Sequence, residues 1–65
     1  MKIIVNAASH ETTAAELAGL LEELGYARAV VATAVNGEFV AASMRARTAL
    51  AEGDRVEVLT PMQGG

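Results

Sequence analysis

The sequence predicts an α+β fold: a mixed sheet of four to five strands with one helix packed on one face. Three observations predict it. Short β-branched runs lie at both ends of the chain, in residues 2–6 and 55–60. A leucine-spaced helical segment separates the early runs from the late ones. Asn36-Gly37 is a hairpin signal between two further runs. One amphipathic helix has a stripe wide enough to cover a single sheet only.

Taken in order, residues 2–6 (Lys-Ile-Ile-Val-Asn) read as the first strand. Residues 7–11 turn and return as a shorter second strand. Thr13-Ala14-Ala15-Glu16 fits a capping box, with Thr13 as N-cap and Glu16 reaching back to its amide. Leu17, Leu20, Leu21 and Leu24 then recur on one helical face, and Glu22 and Glu23 fall on the wet side. Gly25 suits the left-handed position that ends a helix. Residues 30–35 read as a third strand, with either face open to burial because both are small and apolar. Asn36 and Gly37 tolerate the positive φ of a type I′ turn, and Glu38-Phe39-Val40 is the return strand. Residues 41–50 form a connection without strong periodicity. Glu52-Gly53-Asp54 marks a turn. In the last strand, residues 55–60, Val56 and Val58 point one way and Arg55 and Glu57 the other. Leu59 breaks this alternation, an apolar side chain on the polar face.

The first and last strands can pair in parallel at the centre, with the helix as a crossover on one face. That layout is a β-grasp, ubiquitin-like one, and it sends the C-terminus outward from a central strand. We expect a β-grasp domain over residues 1–60 and a flexible Gly-Gly tail over 61–65.

Composition bounds the function. At 65 residues the chain is one small domain, and such a domain buries only about 60% of its unfolded surface. A core and a deep catalytic pocket do not both fit. With no cysteine, neither a disulfide framework nor a cysteine metal site holds the fold, and any sulfur handled is not carried on a thiol of its own. The net charge of −3 argues against nucleic acid, whose phosphates call for clustered Lys and Arg. The apolar run at residues 29–35 is too short to span a bilayer, and residues 1–6 lack the features of a signal peptide. The expectation is a soluble, cytoplasmic protein with no membrane or nucleic-acid partner.

The chain stops at Pro61-Met62-Gln63-Gly64-Gly65. Glycine is tolerated at frayed termini, but a Gly-Gly end is also chemically usable. Without Cβ atoms, Gly64 and Gly65 can enter a slot too narrow for any side chain. Five residues reach about 17 Å when extended, enough to place the end inside another protein's active site. Gln63 and Gly64 would enter with it. Pro61, Met62, Leu59 and Phe39 are candidates for an apolar partner contact on the body.

Val35-Asn36-Gly37-Glu38-Phe39-Val40, then Glu52-Gly53-Asp54-Arg55-Val56-Glu57-Val58, then Gly64-Gly65 resemble the sulfur carrier family of thiamine biosynthesis, ThiS. The resemblance spans nearly the whole chain. It departs at Ala41, where many members carry proline, which bears on the following loop rather than on the tail. It implies three partners. An adenylyltransferase (ThiF-like) would use ATP and Mg to adenylate the Gly65 carboxylate. A sulfur donor would convert the acyl-adenylate to a thiocarboxylate. Thiazole synthase (ThiG-like) would take the sulfur. The chain itself would bind no cofactor and would be a co-substrate, not an enzyme. An α-carboxyl ionises near about 3.3–3.7, so at neutral pH it is an anion and a poor electrophile until activated. Two alternatives share the end group: the small subunit of molybdopterin synthase, and a ubiquitin-like modifier joined to target lysines.

The remaining polar residues read as structural. His10 is the only histidine and lacks the companions of a metal site. Arg45 and Arg47 are a small basic spot in the connection, read as solvated, with an acidic partner patch as the alternative. There is no nucleophile–base pair, phosphate loop or metal-spaced acid cluster.

Overall fold

The computed structural model describes residues 1–60. The sequence-level expectations for Pro61, Met62, Gln63, Gly64 and Gly65 lie outside the described residues. Strand β1 (Lys2–Val5) pairs antiparallel with β2 (Ala8–Glu11), helix α1 (Leu17–Glu23) follows, and β3 (Ala32–Val35) pairs antiparallel with β4 (Glu38–Val40). A 3-10 helix, Ala42–Arg47, leads to β5 (Arg55–Leu59). The sheet order is β2-β1-β5-β3-β4. β5 pairs parallel with β1 and antiparallel with β3. This is the β-grasp arrangement, with five strands and the last one at the centre.

The alternation in β5 decides which face is dry. Val56 and Val58 are buried, and with Ile3 they meet Leu17, Leu20 and Leu21 of the helix and Leu50 of the connection. Thr33 is also buried on this side, which settles the parity of β3: Ala32 and Ala34 face away from the helix.

The capping box does not form. Glu16, not Thr13, is the N-cap, in extended conformation and without a side-chain cap bond. The backbone has better partners there: the Leu17 amide donates to the Thr48 carbonyl at 2.9 Å, and the Leu50 amide to the Ala15 carbonyl at 3.0 Å. Pairing with the connection in this short bridge satisfies a helix-terminal N–H that a cap would otherwise serve. At the other end the expectation holds. Gly25 has φ +89°, its amide donates to the Glu22 carbonyl, and the Tyr26 amide donates to the Leu21 carbonyl, the paired bonds of a Schellman motif.

Two further boundaries differ. β3 begins at Ala32 rather than Val30, because the Val31 carbonyl is taken by the Arg45 guanidinium (Nη2 to O, 2.6 Å) and Val30 is 80% exposed. Residues 41–50 contain the 3-10 helix rather than an irregular connection; its shorter repeat escapes a search at helical period.

Thr12 and Glu23 staple β2 to the helix. The Thr12 hydroxyl donates to Glu23 Oε1 at 2.6 Å and accepts from the Ala14 amide at 2.9 Å, while His10 Nε2 lies 3.2 Å from Glu23 Oε2. His10 is thus structural, as its sequence context suggested. The Thr12 hydroxyl, and after it the His10 hydrogen bond, hold the Glu23 carboxyl below the ordinary carboxylate range. A carboxylate lowered on folding contributes stability that is present above its unfolded pKa and is lost as pH falls through the folded value. Glu23→Gln should therefore flatten part of the acid limb in urea melts repeated across the acidic range. The hairpin β1–β2 has a second test. Asn6 and Ala7 both have positive φ, 48° and 70°, and an L-residue with a Cβ is strained there by about 1–2 kcal/mol. Ala7→Gly should raise the urea midpoint, a net gain of about 0.5–1 kcal/mol after glycine's extra freedom in the unfolded chain.

Candidate functional site

The site is where β5 leaves the sheet. Strands on both flanks hold β5, and its terminus points the chain toward Thr60 and residues 61–65. The hydrogen bonds along its two edges come from main chain and from two asparagines. At the start of β5, the Asn36 amide donates to the Arg55 carbonyl at 2.7 Å. The Asn36 side-chain Oδ1 accepts from the Arg55 amide at 2.9 Å. Its Nδ2 donates to Asp54 Oδ1 at 3.0 Å. Toward the end, the Asn6 amide donates to the Val56 carbonyl at 2.9 Å. The Asn6 side chain then pairs with Val58, donating from Nδ2 to its carbonyl at 3.1 Å and accepting from its amide at 2.8 Å.

The face of the sheet opposite the helix carries the candidate contact surface. Phe39 opposes Ala34, Ala34 opposes Glu57, and Ala32 opposes Leu59. In an antiparallel ladder, opposed residues share a face. Phe39 and Leu59 therefore flank a shallow depression floored by the two alanines and edged by Glu57. Both are largely unburied, 73% for Phe39 and 67% for Leu59. A second apolar groove, lined by Val30, Val31, Ala32, Leu59 and Thr60, adjoins it at the exit of β5. Leu59 thus breaks the alternation of its strand because it belongs to this surface. The structure brings Phe39 and Leu59 together; the other five sequence-level candidates, Pro61, Met62, Gln63, Gly64 and Gly65, follow in the chain outside the described residues.

Among the described residues, no group of three or more His, Asp or Glu side chains is placed to hold a metal ion. No helix among them is long and apolar enough to cross a membrane. Arg47 is exposed, as expected of a solvated basic residue. Arg45 is not. Besides the Val31 carbonyl it donates from Nε to Thr33 Oγ1 at 3.0 Å, while the Thr33 hydroxyl donates to the Val40 carbonyl at 2.8 Å. Arg45 therefore supports β3 and β4 from beneath the apolar face. Sequence reasoning missed this role, and it missed Asn6 and Val30. For Asn6 the signal was present: an asparagine directly after a β-branched run, in a two-residue turn. For Arg45 no local signal existed, because its partners lie 12 and 14 residues away. Arg45→Met keeps the apolar stem and removes both donors. It should lower stability by about 1–3 kcal/mol, measured by urea unfolding.

The model of the ThiS family matches residues 3–65. Among solved structures, a thiamine biosynthesis protein (ThiS) from Geobacter metallireducens is 32% identical, with 100% of each chain covered and a TM-score of 0.83. No curated protein is similar enough to count as a match.

Proposed function

The chain belongs to the ThiS family, and from that premise we propose that it is the sulfur carrier of thiamine (thiazole) biosynthesis, with the Gly65 carboxylate as the cargo site. The observation that carries the proposal is the reach of the family match, which runs from Ile3 through Gly64 and Gly65. The exit of a central strand beside an apolar face supports it.

On this reading, a Gly65 carboxylate oxygen attacks the α-phosphorus of ATP on a partner adenylyltransferase, and pyrophosphate leaves with the Mg ion. The carboxylate's charge is gone and AMP is now a leaving group. Hydrosulfide, released by the donor, then attacks the carbonyl carbon; AMP departs and the proton goes to water, leaving a thiocarboxylate. Thiazole synthase accepts that sulfur. Each transfer builds negative charge that preorganised cations and amides must stabilise; the partners supply these, and this chain is a co-substrate. Gln63 and Gly64 pass through the partner's slot. Phe39 and Leu59, with Pro61 and Met62, form the apolar contact that seats the body outside it.

Intact mass after incubation with the adenylyltransferase, ATP, Mg and a sulfur source checks the proposal. One oxygen should be replaced by sulfur, fragmentation should place it on Gly65, and the same chain lacking Gly65 should gain none. Sulfur elsewhere, or equal loading of the shortened chain, would overturn the assignment.

A further inference from the structure

We propose that Asn6 is a positioning residue for the C-terminal arm: its side-chain amide acts as one more unit of β1 and fixes the direction in which β5 releases the chain. The inference rests on the carrier function above.

β1 ends at Val5, opposite Val56. Its last main-chain bond to β5 is from the Asn6 amide to the Val56 carbonyl. The chain then turns away through Asn6 and Ala7 into β2, so the next β5 residue facing β1 loses its strand partner. That residue is Val58, and the Asn6 side chain meets both of its main-chain polar atoms, at 3.1 and 2.8 Å. A primary amide can present an N–H donor and a carbonyl acceptor side by side, as the N–H and C=O of a single strand residue do. Here it continues the parallel ladder past the end of the strand. The two bonds also fix which way the Asn6 amide is turned, since donor meets carbonyl and acceptor meets N–H.

Position 6 suits no other residue as well. Its φ of 48° lies in the left-handed region, where asparagine is one of the few tolerated side chains. Aspartate shares that tolerance but lacks the donor. The clamp spans 52 positions of sequence and lies two residues before Thr60. An arm of five residues spans at most about 17 Å, so an angular error at its root is multiplied at its tip. With Val58 released, the exit of β5 at Leu59 and Thr60 is less fixed, and docking must restrict it at a cost in affinity. Once the end is seated the chemistry is unaltered, so the loss belongs in KM rather than kcat.

The test is Asn6→Gly in the full chain, a variant that keeps the positive φ and removes both bonds. Exchange at the Val58 amide should quicken about ten-fold while the Ile3 and Leu20 amides hold their protection. KM for the carrier in adenylyltransferase-dependent pyrophosphate release should rise about three- to ten-fold at unchanged kcat. Gly25→Ala, at the far end of the helix, loses stability through its φ and should leave KM unaltered. Equal exchange at Val58, an unaltered KM, or the same KM rise in Gly25→Ala would overturn the positioning role. If the glycine variant does not fold, Asn6→Asp keeps the bond from the Val58 amide and loses that to its carbonyl; KM must still rise, and an unchanged value overturns the inference. Failure of the unmodified chain to release pyrophosphate is a separate outcome, which overturns the carrier function itself.

Discussion

The pairing of β5 on both edges governs the rest of the structure. β5 is the last element among the described residues and the central one in the sheet, so every other strand is placed by reference to it. Its parallel partner is set at the other end of the sequence, which makes the closing of the sheet a long-range event. A core of seven buried apolar residues among those described supplies the cohesion. The ends of β5 are finished by polar groups instead, because neither flanking strand is long enough to match it. Asn36 serves its first residue and Asn6 its fourth. Both asparagines occupy positive-φ turns, so the chemistry that reverses the chain also supplies the amides that complete the central strand.

The described residues hold charge in structural roles: Glu23 against Thr12 and His10, Arg45 against Val31 and Thr33. The face away from the helix is left apolar around Phe39 and Leu59. Exposing two large apolar side chains on so small a domain has no folding benefit. They lie side by side next to the exit of β5.

Much of this was legible in the residues. Leucine spacing located the helix, Asn36-Gly37 located the second hairpin, and alternation in β5 gave its buried face. The one break in that alternation, Leu59, marked the surface. What escaped depended on partners distant in sequence. Thr13 and Glu16 carry a local capping signal, yet a tertiary bridge to Thr48–Leu50 outcompetes it. Val30 extends a β-branched run, yet Arg45 removes its neighbour from the ladder. Local preference is a weak constraint wherever a backbone group has a better-placed partner elsewhere. The expectations for residues 61–65 lie outside the described residues.

The brevity of β4 has a consequence of its own. It is three residues long and forms one border of the sheet, with Glu38 at its start. A protein sliding in from the side would find few free peptide groups to zip onto, and a carboxylate in its way. Approach from above, onto the aromatic ring of Phe39, meets no such barrier. Short borders thus act as a filter on the angle of encounter: they discourage lateral stacking of copies while leaving the broad side open.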